Sequence, residues 1–403
     1  MVVLVVAIAG FVVGLVAFVD FSRIEDPPAD PPAGPASVSD DDRSEAGADK
    51  ESSGPQLDDR AAEIDRLSRE TEQIRGLQFL RPVNVAFLDD EAFGIRLRQT
   101  VEEDLEDADL ETVERIWQAL GVIDADLSLK TALLDALDAG VLAYYDPETE
   151  ELVLRGLELN PFTQATLVHE LTHALDDQHF DLDRFSHDEV DDDGEKEAAF
   201  SFLVEGTASW VEEQWADRLP DADQAARSRL GAEAAAAMDI GGLPEVLLVD
   251  ISLPYWLGPQ FVAELVERAG TDGIDAAYFD PPVSGAQIFD VDAYLTGEVP
   301  IEVSPPPADG PVLATEVVGS TGWFSVLLAT VPAQAQALAE AWAGDRLVLW
   351  QDGPDRWCVR VDVVARSETD AAAVVKALSS FAIYHGDAAV SDLPDGMRLE
   401  ACR

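Results

Sequence analysis

Lysine, cysteine and histidine are all scarce in this chain. Only four lysines occur in 403 residues: Lys50, Lys130, Lys196 and Lys376. With the arginines they make 26 basic groups against 80 acidic ones, a formal net charge of −54. Nothing here could neutralise a run of phosphates, so no nucleic-acid partner is expected. An anionic membrane surface would repel the chain as well. Only two cysteines are present, Cys358 and Cys402, both near the C-terminus. They read either as small buried hydrophobes or, in an exported protein, as one disulfide closing the last domain. No repeat at solenoid spacing occurs.

The acid has a physical consequence. In dilute buffer so large an excess repels itself, whereas in molar salt the Debye length falls to about 3 Å and the repulsion largely vanishes. High Asp and Glu with scarce Lys therefore read as adaptation to brine in a salt-loving organism, with loss of structure expected at low salt. Nearly half the chain is apolar, 47%, so a large core is expected.

Residues 2–19, VVLVVAIAGFVVGLVAFV, carry no charge and just reach the length that spans a bilayer as a helix. The run exceeds an ordinary signal h-region, and no clear A-x-A cleavage site follows. Residues 1–20 are thus expected to be a transmembrane anchor in the cell membrane. Residues 21–58, rich in Pro, Ser, Gly and acid, are expected to be a disordered tether. No Lys or Arg precedes the span and Arg23 follows it, so the positive-inside rule barely speaks to orientation.

From Asp59 onward the apolar spacing predicts a helix through Leu77, a strand at 83–88, and helices at 90–107, 110–120 and Leu127–Ala139. A β-hairpin at 141–156 turns at Asp146-Pro147-Glu148-Thr149. Thr163 is the expected N-cap of a helix running through Leu175, and a second long helix covers Lys196–Arg218. A helix is expected at 260–269. Beyond 306, strands alternating with helices at 332–343 and 369–382 predict a small α+β domain. The expected fold class is α+β: a mainly helical body (59–305) with a small sheet beside the key helix, then the C-terminal domain (306–403).

That key helix carries His169-Glu170-Leu171-Thr172-His173. On a helix, i and i+4 lie one above the other, so two imidazoles converge as zinc ligands. Glu170, beside the metal, can take a proton from water and pass it to a leaving amine. A hydrogen-bonded histidine pair is the bland alternative. Glu205, 32 residues after His173, follows Leu203-Val204 on a stretch expected to be buried. There an unpaired carboxylate is costly, and a metal would resolve that cost. Glu195, Glu197 and Glu212 compete for this role. Gly206 and Ala208 allow close helix approach.

Asp177, four residues past His173, is the candidate to fix a ligand's tautomer, with Asp176 a less direct one. His179 and His187 read as surface residues, and His385 receives no role. The strand at Leu152–Leu154 could pair with an extended substrate or could be plain structure. Tyr144, Tyr145, Tyr255 and Tyr294 are candidates for oxyanion support that sequence cannot rank.

The blocks LAYYDPETEELVLRG, VHELTHALDDQHFDL, LVEGTASW, PYWLGPQFV and DPPVSGAQI occur in that order. Together they resemble a family of uncharacterised HExxH surface proteins of haloarchaea. The resemblance covers most of residues 60–380. It implies a zincin-like, membrane-anchored protein outside the cell, with His169, His173 and Glu205 as Zn2+ ligands and Glu170 as base. Two departures stand out: Thr207 where an acidic residue is usual, and Gly285-Ala286 where a Thr-Glu pair is usual. The second bears on peptidase activity and does not touch the proposed ligands. The expected activity is metal-dependent cleavage of a peptide or protein substrate. A non-catalytic zincin-fold protein for adhesion or envelope binding is the alternative, and a cytoplasm-facing protease a third reading.

Overall fold

The computed structural model describes residues 55–104, 107–185, 194–238, 242–354 and 356–403. The expected anchor and nearly all of the expected tether lie outside the described residues, as does His187. The tether's last four positions already belong to the first helix, which starts at Pro55.

The architecture is α+β. In chain order the first elements are α1 (Pro55–Arg75), β1 (Asn84–Leu88), α2 (Asp90–Asp104), α3 (Asp107–Leu120), α4 (Leu129–Gly140), β2 (Ala143–Asp146) and β3 (Glu151–Arg155). The long helices α5 (Pro161–Phe180), α6 (Gly194–Ala216), α7 (Asp221–Ala237) and α8 (Glu245–Ala269) follow. Short helices α9 (Thr271–Phe279), α10 (Gly285–Phe289) and α11 (Val291–Thr296) lead to β4 (Val312–Glu316). The chain closes with α12 (Gly319–Thr330), α13 (Ala335–Ala341), β5 (Trp342–Gln351), β6 (Trp357–Ala365), α14 (Glu368–His385), β7 (Ala389–Leu393) and β8 (Gly396–Cys402).

The first sheet has order β1-β3-β2, with β3 parallel to β1 and antiparallel to β2. Side chains alternate across it. Ala143, Tyr145, Leu152 and Leu154 join a smaller core with α1, α5 and α6, while Tyr144 and Val153 join the large core. Because β3 is paired on both sides, its backbone has no edge to offer an extended peptide. The substrate-strand expectation for Leu152–Leu154 is therefore overturned: a central strand has spent its hydrogen bonds.

Two helices are buried almost all round, and they carry the chemistry. Every residue from Ala165 to Asp176 on α5 is buried, and so is every residue from Ala198 to Ala208 on α6. The α5 N-cap is Asn160, not Thr163. Its side chain accepts from the backbone N–H of Phe162 and Thr163 at 3.0 and 3.1 Å, with Pro161 in the first turn, where a missing N–H costs nothing.

Helix α6 crosses α8 at two glycines. A Cβ on Gly206 would lie 2.4 Å from the Gly258 backbone, and one on Gly258 would lie 2.4 Å from Phe202 O. Helix α8 begins at Glu245 rather than near 260. Pro254 and Pro259 lie inside it, and the helix, packed between α6 and α12, continues through both. Among the described residues it is the one helix long and apolar enough to cross a membrane, and it supplies core residues from Val246 to Leu265.

The second sheet, order β4-β5-β6-β8-β7, is antiparallel throughout. Cys358 lies directly opposite Cys402 across β6 and β8, with Cα atoms 4.0 Å apart, and the two form a disulfide. One apolar cluster runs from Phe93 to Ala401, and α3 packs on β6 and β8, so the last hundred residues share their core with the body. Asp345 joins α12 to β5. Its buried carboxylate accepts from the backbone N–H of Val318 and Gly319 and from the indoles of Trp323 and Trp342.

Candidate metal centre

His169 and His173 stand on successive turns of α5 and face α6. Their Nε2 atoms lie 3.2 and 3.5 Å from one oxygen of Glu205, Oε2. All three ligand atoms fall within 4.8 Å of one another, and the residues are exposed by 2%, 1% and 5%. A tetrahedral zinc site with bonds of about 2.0–2.2 Å separates its ligand atoms by about 3.3–3.6 Å. The two His–Glu edges match that spacing. His173 Nε2 is buried, and apart from the long 3.5 Å contact to Glu205 it has no hydrogen-bond partner, a state that costs free energy unless something else occupies the lone pair. Two imidazoles, one of them without a close hydrogen-bond partner at Nε2, and one carboxylate fit a zinc ion.

Of the four acids on α6 weighed as third ligand, Glu205 is the one that reaches both histidines. Glu195 instead accepts the Gly285 N–H at 2.8 Å and packs against Gly319. That accounts for glycine at 285, since a Cβ there would lie 2.4 Å from Thr321 Cγ2.

The other face of His169 is held by Glu212, two helical turns after Glu205 on α6. Its Oε2 lies 3.4 Å from His169 Nδ1, and its other oxygen accepts from Arg227 of α7 at 2.7 Å. The sequence held one clue: acids at i and i+7 fall on one helix face. Asp177, the expected tautomer partner, is engaged elsewhere, accepting from Tyr145 OH at 2.7 Å and Leu182 N–H at 3.0 Å. Asp176 takes Arg75 Nε at 2.7 Å in a buried pair. His179 bonds to Gln78 O, away from the site.

Electrostatics tie these groups together. Burial alone would push the His169 imidazole down, but the Glu205 and Glu212 carboxylates outweigh it and hold it up at about 10. Burial would raise Glu205, yet the facing histidines bring it down to about 2. The pair is therefore imidazolium and carboxylate when no cation replaces the proton. Glu170 is wholly buried, and its charge bears on both His169 and Tyr255.

The structure also ranks the tyrosines. Tyr255 of α8 stacks on His169 with ring centroids 6.1 Å apart, and its hydroxyl hydrogen-bonds Glu205. Burial, then the charges of Glu205 and Glu170, keep that phenol protonated. Tyr144 and Tyr145 belong to the small sheet, and Tyr294 donates to Asp280 O.

Comparison of the chain with protein-family models, curated proteins and solved structures gives no match.

Proposed function

We propose that this protein is a zinc metallopeptidase of zincin type, tethered by its N-terminal segment to the cell membrane with its body outside, in brine. The observation that carries this reading is the grouping of the His169, His173 and Glu205 ligand atoms within 4.8 Å of one another, with Glu170 between the two histidines in sequence. Two histidines and one glutamate are a donor set of catalytic zinc, whereas structural zinc sites close a fourth protein ligand. The haloarchaeal resemblance and the net charge of −54 support the cellular setting.

Bound there, zinc would supply Lewis acidity toward water and a scissile carbonyl. The chain's own residues do the rest. Glu170 accepts the proton of the attacking water at its carboxylate and delivers it to the departing amine. Tyr255, already donating in this site, turns its O–H toward the carbonyl oxygen as that oxygen gains charge. Glu205 and the histidines hold the centre rigidly because their helices are packed on all sides.

One observation favours a second reading, a non-catalytic zincin-fold protein for adhesion or envelope binding. His169, Glu170, His173 and Glu205 are all exposed by 5% or less, so a substrate enters only if the site opens. Metal analysis of the full-length protein in molar salt, beside peptide cleavage by wild type and Glu170→Gln, separates the two. The expected result is one zinc per chain in both proteins and a fall in cleavage of about 10²–10⁴-fold in the variant. Folded protein without zinc would sink the site. Zinc with no wild-type cleavage selects the second reading.

A further inference from the structure

We infer that Glu212 and Arg227 form a positioning relay that sets the metal affinity of His169 from the protein surface. The inference rests on the zinc reading of the site and not on peptide hydrolysis.

Glu212 is costly to bury. Its carboxylate is exposed by 7% in its side chain, and a buried carboxylate persists only where it is paired. Both oxygens are engaged, one by His169 Nδ1 at 3.4 Å and one by Arg227 Nη2 at 2.7 Å. The ring geometry then follows. Nδ1 gives its proton toward Glu212, so the Nε2 lone pair is directed at the point shared with His173 and Glu205.

Arg227 does not sit there to complete a core. Helix α7 buries only Gly231 and Ala235, and its start at Pro220 has no side-chain cap. The guanidinium Nε makes no hydrogen bond, which leaves the contact to Glu212 as the described bond of this group. Arg227 is still a quarter exposed, at 24%. It neutralises Glu212 from the solvent side and keeps that carboxylate aimed at the ring. The relay thus runs from the surface of α7 through α6 to a ligand on α5. Neither acid nor arginine touches the metal point itself, so both act through His169.

The test is zinc affinity of the full-length chain, measured by competition with a chromophoric chelator in molar salt, for wild type, Arg227→Met, Arg227→Lys and Glu212→Gln. Arg227→Met and Glu212→Gln should each weaken zinc by about 10- to 100-fold, the usual effect of losing such a partner. Arg227→Lys, which returns the charge, should recover most of the loss. Cobalt(II) bound to Glu212→Gln should show displaced visible absorption bands, because His169 is no longer held by a charged acceptor. Circular dichroism of each metal-free variant checks the fold. Affinity within about twofold of wild type in both Arg227→Met and Glu212→Gln overturns the relay. Equal loss in Arg227→Lys and Arg227→Met overturns the role of the charge, and if Arg227→Met fails to fold, Glu212→Gln carries the test alone. Failure of wild type to bind zinc strikes the proposed function instead.

Discussion

Burial would strip the proton from His169, and two carboxylates keep it there. This balance makes the metal-free protein sensitive to pH in a definite direction. A histidine raised from 6.5 to about 10 contributes stability that is whole below pH 6.5 and is lost as pH rises through about 10. Glu205, lowered from 4.5 to about 2, contributes stability that is whole above pH 4.5 and is lost as pH falls through about 2. Chelator-treated protein should therefore melt at its highest temperature between pH 4.5 and 6.5. From pH 6.5 toward 10 its Tm should decline, and Glu205→Gln should flatten that decline. Thermal scans with and without zinc check this, since zinc at the proposed site would expel the His169 proton and blunt the alkaline loss. A flat Tm from pH 6.5 to 10 in chelator would contradict the ion pair. At the same scale, Tyr255→Phe removes one hydroxyl. Its expected effect is a kcat lower by about 10²–10³-fold with zinc still bound, read from steady-state kinetics and metal analysis.

Among the elements, the crossing of α6 and α8 decides whether the site exists. Glu205 and Gly206 are adjacent, so the residue that must reach both histidines sits next to the one that lets α8 approach. With a Cβ on Gly206 only 2.4 Å from the Gly258 backbone, no flexible side chain can give way, and the helices must separate. Gly206→Ala should cost about 1–3 kcal/mol or more from overpacking, and it should move Glu205 and Tyr255 off His169. Denaturant unfolding together with zinc titration checks both effects, and a variant of unchanged stability and affinity would refute the close crossing. The helices α5 and α6 were legible beforehand: long apolar runs with Asn160-Pro161 at one start. Helix α7 was not, because its exposed face alternates alanine with charge and offers no apolar stripe. The true start of α8 was hidden by two prolines, which local rules read as breakers and tertiary packing overrides.

For the whole molecule the governing quantity is the net charge of −54. Partly buried pairs such as Arg227–Glu212 are screened less than the outer surface, so salt acts mainly on repulsion among exposed acids. We expect Tm to climb with potassium chloride from 0.1 M upward and to level off once the Debye length nears about 3 Å, at about 1 M. Circular dichroism at stepped salt measures it, and a salt-independent Tm would contradict the brine reading. The disulfide between Cys358 and Cys402 ties two neighbouring strands of a sheet whose core is continuous with the body.

The HExxH spacing on a helix, the candidacy of Glu205 and the α+β class were all determined by the sequence alone. They follow from local periodicity, and from the cost of burying a carboxylate on an apolar stretch. Only the tertiary structure decided that Glu212 and Arg227, rather than Asp177, stand behind His169, and that Tyr255 is the tyrosine at the site. Likewise, Cys358 meets Cys402 only through the register of β6 and β8. These facts depend on which helix faces and strand positions meet across the chain, and that is set by packing of distant segments, about which local spacing is silent.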